Sequence, residues 1–316
     1  MIDKTRRYLR AAAMTAAAAV SMTLAGAAAA QAATAERTPG NDVIAAITKA
    51  SSAPGVPDVF LGGVERTVLP SDGKFTVTTP QGDVTVELLG SVDSGVTVAN
   101  SLRAYENLPD VSTVPVTKTD GSVQIATVIA SSASPTEYRY VIESEKGSRL
   151  KEVDEGYIAV VSDDGNLIAG VAPAWAIDAN GGDVHTHFEI DGNTLVQYVE
   201  HGEGSAYPIV ADPWVGGTYL ESYQWLTSYR VEYRPTWYGS WGCFGSVSCA
   251  AAWQGSAQAE LVNANSGTYK TRAGYSTTRN QIGCHMFGAG VKSPWNIETN
   301  VGDIGLAGFI AVGCNP

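Results

Sequence analysis

Cys284 and His285 stand side by side, the residue types that a thiolate nucleophile and its general base require. On a helix, neighbours i and i+1 point about 100° apart, so this imidazole does not face the adjacent sulfur. His285 is the only histidine after Pro213. As a catalytic base it would need Glu298 or Asp303 and a serine nucleophile, and no G-x-S-x-G turn presents one. Glycoside hydrolysis needs two facing carboxylates, and the same region offers only Glu221, Glu232, Glu260, Glu298 and Asp303. His285 is therefore expected to be a packed structural residue, with catalysis as the rival role.

Two other groupings could bind. Asp183, His185, His187 and Glu189 alternate along a strand-like run, so all four share one face. Two histidines at i, i+2 with a carboxylate could hold a metal ion. The plainer expectation is a solvated face opposite Val184, Phe188 and Ile190. Trp237, Tyr238 and Trp241 crowd a Gly-rich stretch, where little burial is expected. With Trp295, they are the candidates for stacking on a sugar or anchoring a protein partner. No cofactor is expected.

These side chains need elements to position them. From Lys74 onward, alternating runs predict strands at KFTVTT, DVTVELL, VQIATVIA, EYRYVIE, YIAVVS, NLIAGVAPAW, VHTHFEI and TLVQYVEH. Turns fall at Pro80–Asp83, Asp163–Asn166, Asn180–Asp183 and Asp191–Asn193. Such spacing predicts an antiparallel sandwich or bent sheet over 74–213. NDVIAAITKA (41–50) predicts a short helix capped by Asn41 or Asp42, then a linker to residue 73. Beyond Trp214, TYLESYQWL and SYRVEYRP predict a hairpin. Trp253, Ala257, Leu261 and Ala264 form the stripe of a helix over 249–264. A second helix is expected from Thr278, with Gln281 completing a capping box. Ile304 to Cys314 reads as a strand. The expected class is α+β: a mostly β acidic region, then a small disulfide-bonded α+β domain over 214–316.

Composition changes where that division falls. Residues 36–213 carry 26 acidic against 10 basic side chains, and residues 214–316 carry 5 against 6. Six of the seven Trp and all four Cys follow Pro213, which places a boundary at Ala211–Trp214. The overall charge of −12 argues against nucleic acid, whose phosphates attract cations. The chain opens with Lys4, Arg6, Arg7 and Arg10, an uncharged Ala-rich run to Ala30, and the small-x-small sites Ala30–Ala32 and Ala33–Ala35. That order predicts a signal peptide over 1–33 and a secreted, extracellular or wall-associated protein with no later membrane span. Export implies paired cysteines. Three pairings are possible; close spacing favours Cys243 with Cys249, which leaves Cys284 with Cys314.

The run QIGCHMFGAGVKSPWNIETN (281–300), the terminal GCNP and the upstream AAAWQGSAQAELV resemble a C-terminal domain of secreted actinobacterial proteins, known as domain of unknown function 2599. The matching positions are Gln281, Cys284, His285, Lys292, Trp295, Asn296, Glu298, Cys314, Asn315 and Pro316. Ile297 replaces a Leu, and Thr299-Asn300-Val301 stands where the family has Trp-Arg-Pro. YPIVADPW (207–214) looks like the leader preceding varied C-terminal domains in exported actinobacterial proteins. The resemblance implies export and no particular activity. The expected role is extracellular binding, to a cell-wall glycan or an extracellular protein. Its rivals are an antibacterial effector acting through 214–316 and a cell-wall hydrolase.

Overall fold

The computed structural model describes residues 39–52, 72–90, 95–98, 102–145, 147–154 and 156–315. The signal segment and residues 53–71 of the linker lie outside the described residues. Helix α1 (Pro39–Ser51) begins two residues before the expected cap, with Pro39 in its first turn, where a missing N–H costs nothing. The strands then run β1 (Lys74–Val77), β2 (Val84–Leu88), β3 (Val96–Thr97), β4 (Arg103–Leu108), β5 (Val111–Thr117), β6 (Val123–Ile129) and β7 (Glu137–Glu143). They continue as β8 (Arg149–Asp154), β9 (Tyr157–Val161), β10 (Leu167–Val171), β11 (Trp175–Ile177), β12 (Thr186–Asp191), β13 (Thr194–Val199), β14 (Ile209–Asp212) and β15 (Trp214–Gly216).

Strands β1-β2-β7-β13-β12 make one antiparallel sheet, and β3-β4-β5-β6-β15-β10-β9-β8 make the path of a second. Alternate residues of β6 show how the layers stack. Val123, Ile125 and Ile129 join Val77, Val86, Tyr140 and Leu195 in the core between the sheets. Ala126 and Val128 point the other way and meet Val43 and Ile47 of α1. Both faces of β6 are covered, so all seven of its residues are buried. The acidic part is thus a sandwich with a helix on its outer face.

The chain does not leave the sheet at the composition break. Ile209, Val210 and Ala211 pair with Ile129, Val128 and Thr127, and Trp214 and Val215 pair with Gln124 and Val123. The register is unbroken across Pro213, whose carbonyl accepts from Ile125 N. Pro213 has no N–H to return to Ile125, so the ladder is one hydrogen bond short at this pair while the register continues. What changes is the neighbour on the far side: β14 pairs with β11, and β15 with β10. The described residues form one compact unit.

After β15, β16 (Leu220–Trp225) and β17 (Arg230–Pro235) form the expected hairpin, and β18 (Trp295–Glu298) adds a third strand. Around it lie α2 (Trp237–Trp241), α3 (Val247–Asn263), α4 (Gly267–Ala273), α5 (Ser276–Gly288) and α6 (Gly305–Ala311). In α3, Trp253, Ala257 and Leu261 are buried as the stripe requires, and Ser246 caps Cys249 N at 3.0 Å. Two expectations are corrected. Helix α5 starts at Ser276, so Thr278 lies inside it and its hydroxyl donates to Arg272 O rather than capping. Ile304–Cys314 is helix α6 and a turn, not a strand. Phe309 is buried against the Cys284–Cys314 bridge while Ile304 and Val312 stay exposed. The disulfides are Cys243–Cys249 and Cys284–Cys314, and on loop-entropy grounds they contribute roughly 2 and 4 kcal/mol. No helix among the described residues is long and apolar enough to cross a membrane.

Candidate binding site

Where β17 ends, Pro235 and Thr236 turn the chain into α2. The Thr236 hydroxyl accepts from Gly239 N at 2.8 Å and donates to Thr218 O at 2.6 Å, which ties the helix start to the connection between β15 and β16. On this short helix Trp237 and Trp241 are i and i+4, so their rings lie on one side. They are near-parallel, with centroids 6.4 Å apart and planes 19° from alignment. Trp241 meets Phe244 edge-on at 5.2 Å. Trp237 is 40 % exposed and Phe244 is 42 % exposed.

The ridge is held firmly. Tyr157 of β9 donates to Phe244 O at 3.1 Å, Gly245 N donates to Phe287 O of α5, and the Cys243–Cys249 bridge closes the turn. A Cβ on Gly290 would sit 2.8 Å from the Phe244 ring and 2.9 Å from Ser240 O, so only glycine lets the 288–294 loop lie this close.

Beside the ridge opens a cavity of about 630 Å³. Trp237, Ser240 and Trp241 form one wall, and Thr218, Leu220 and Glu221 another. Lys118 and Asp120 reach it from the turn between β5 and β6. Asp120 is fixed in place: one oxygen accepts from Ser122 N at 3.0 Å and from its hydroxyl at 2.6 Å, and the other from Tyr238 N at 3.2 Å. That carboxylate faces the first turn of α2, where free N–H groups favour negative charge. The Thr218–Leu220 wall is pinned from behind by Glu260 of α3, which accepts from Tyr219 N and from Leu220 N at 2.8 Å. Burial raises the Glu260 carboxyl to about 7 against the pull of those amide donors.

Of the residues expected to bind, Trp237 and Trp241 line the cavity and the other two do not. Tyr238 points inward between them and is fully buried against Trp214 (5.1 Å) and Trp253 (5.7 Å). Trp295 is buried as well, stacked on Tyr233 at 5.4 Å with its indole N–H donating to Ala289 O. Neither can touch a ligand, so both belong to the frame.

His285 does not reach the cavity. It is 1 % exposed, its Nδ1–H donates to Gln281 O at 2.9 Å, and its ring lies 5.6 Å from Trp295. Burial lowers its pKa to about 4, so it is neutral at physiological pH. Neither Glu298 nor Asp303 pairs with it: Gln281 takes the Glu298 backbone, and the Asp303 carboxylate accepts from Asn280 and Gly305 N. A proton-transfer role for His285 lacks both access and a carboxylate partner.

The metal candidates separate into pairs. His185 meets Glu200 at 3.0 Å, while His187 stacks on Tyr198 at 5.2 Å and lies 3.8 Å from Glu189. Both nitrogens of His201 are engaged, by Tyr207 and Pro135 O. Among the described residues no three such groups converge on a metal position. As expected of a solvated face, Val184 and Phe188 turn inward, although Ile190 is 38 % exposed.

Sequence reasoning missed Lys118, Asp120, Thr218 and Ser240. Lys118 and Asp120 lie some hundred residues before the ridge, and only the Asp120-Gly121 turn signal marked their position. Phe244 was the nearer omission, since it belongs to the same aromatic run.

Fold and site together define an antiparallel β-sandwich continued by a disulfide-stapled α+β layer, with an open aromatic cleft at the junction. No family model matches this chain, and no curated protein matches it.

Proposed function

We propose that this chain is a secreted, extracellular or wall-associated binding protein whose cleft beside Trp237 and Trp241 takes a cell-wall glycan. One observation carries the reading: two near-parallel indoles are held rigidly at the surface along a cavity lined with hydroxyls and carboxylates. Indole faces stack on the C–H faces of sugars, and fixed hydroxyls and carboxylates satisfy sugar hydroxyls. Export is supported by the basic and Ala-rich opening segment and by two disulfides that suit an oxidising compartment. The domain-2599 resemblance, carried by residues 250–262 and 281–316, agrees with export and adds no activity. Binding is favoured over hydrolysis because His285 is sealed from the cleft. It is favoured over a separately acting 214–316 effector because those residues share strands and core with the sandwich.

The test uses the full mature chain on purified cell wall. Retention without release of soluble fragments is expected, and Trp237→Ala with Trp241→Ala should weaken it at least about tenfold, a typical cost for removing aromatic anchors. Retention unaffected by both substitutions would overturn the assignment, and turnover would favour the hydrolase.

A further inference from the structure

The charges of the cleft go a step further than its shape, provided the glycan reading above holds. We propose that the cleft selects a glycan whose sugars carry a free, protonated amine in place of an N-acetyl group.

Two carboxylates face the cavity. Glu221 is exposed at the start of β16 and makes no ion pair with any described residue. Asp120 is half-buried, held in one orientation by Ser122 and by Tyr238 N. The one cation among the lining residues, Lys118, is 2 % exposed and has a partner within the fold. The cleft lining thus carries two carboxylates against one lysine, a net negative charge beside the indole rings. An ammonium group gains from both, through a charge-assisted hydrogen bond to carboxylate and through attraction to the negative face of Trp237. Ser240 adds a polar atom: it is 7 % exposed, lines the cavity, and no described residue hydrogen-bonds its hydroxyl. An N-acetyl group is neutral and forfeits the ionic contact, and an acidic sugar would be repelled. The net charge of −12 draws cationic chains towards the protein in the same sense.

The experiment is calorimetric titration of the full mature chain with glucosamine oligomers and with N-acetylglucosamine oligomers of equal length, at low and high salt. A glucosamine preference of about tenfold at low salt is expected, the worth of one hydrogen bond to a charged group, and it should shrink at high salt. Glu221→Gln should abolish the preference; because the position is exposed, its melting curve serves to show that the fold is intact. Trp237→Ala should weaken both ligands together. Equal or tighter binding of the acetylated oligomer, still dependent on Trp237, overturns the amine selectivity and leaves the glycan reading standing. A preference that survives Glu221→Gln also overturns it. If neither oligomer binds, or if only an oligolysine peptide does, both readings fall.

Discussion

Gln281 stands in for a strand. Its carboxamide nitrogen donates to Glu298 O at 2.8 Å, and its oxygen accepts from Glu298 N at 3.0 Å, so one side chain satisfies both backbone groups of Glu298 on the β18 edge. Gln281 is fully buried, and leaving the Glu298 backbone unpaired there would cost the desolvation of a donor and an acceptor. Gln281→Leu is expected to lower the urea-unfolding free energy by about 1–3 kcal/mol, and an unchanged midpoint would show the latch to be idle. The Gln-x-x-Cys-His spacing thus places a strand latch, a disulfide and a buried ring on one helix. That explains the spacing without catalysis. Asp212 is another buried polar group with a measurable consequence. It is 2 % exposed and accepts from Gln124 at 3.0 Å, and burial pushes its pKa up to about 8. A raised carboxyl pKa means that the folded chain holds a proton the unfolded chain has released. The stabilising contribution is complete below about pH 4 and is lost as pH rises through about 8. Asp212→Asn should flatten the fall in stability over that window, read from denaturant midpoints at several pH values. An equally steep fall in the variant would refute the assignment. His285 has the opposite sign: its lowered pKa of about 4 costs stability as pH drops below about 6.5.

At the scale of elements, the legible parts of the fold were those whose period was unambiguous. Strands such as EYRYVIE and TLVQYVEH, the β16–β17 hairpin and the Trp253 stripe of α3 all follow a single pattern. Short apolar stretches did not, because strand and helix periods cannot be separated over seven residues. GLAGFIA became α6 because Phe309 packs on the Cys284–Cys314 bridge, a long-range contact that no local pattern carries. Thr278 and Gln281 matched a capping box by spacing, yet Gln281 had a better partner in Glu298. The Trp ridge was half legible. Aromatic crowding marked the place, but only the α2 turn decides that Trp237 and Trp241 face out while Tyr238 faces in. The Cys243–Cys249 clip at the end of that turn is expected to matter twice. A Cys243→Ser, Cys249→Ser double variant should lose about 2 kcal/mol of stability and also weaken glycan retention, since the ridge would no longer be fixed. Lost stability with full retention would show that the clip does not shape the cleft.

The molecule as a whole is joined through glycines. Trp253 of α3 lies against Gly170 of β10, where an added Cβ would fall 2.1 Å from the ring. Tyr238 lies against Gly216 of β15 in the same way, at 2.7 Å. Trp253 thus fills a gap in a strand that precedes Pro213, Tyr238 fills one in the strand just after it, and the indole of Trp214 donates to Ser122 across the same junction. Gly170→Val should cost at least about 1–3 kcal/mol by overpacking, and the melt should stay a single transition if the halves share one core. Two resolved transitions would mean that they unfold separately. The composition break at 211–214 did not reveal this, because charge and aromatic content report what is solvated and say nothing of pairing partners.

The glycine sockets also limit how such a chain can be recombined. A gene joined at the break near Pro213 would divide one strand between two parents. It would also carry Trp253 against a β10 whose facing position, in an unrelated parent, bears a side chain. The stretch that looks most like a cassette boundary is the one where a crossover would be least tolerated, and compatible leaders are those that keep glycine at the position equivalent to 170.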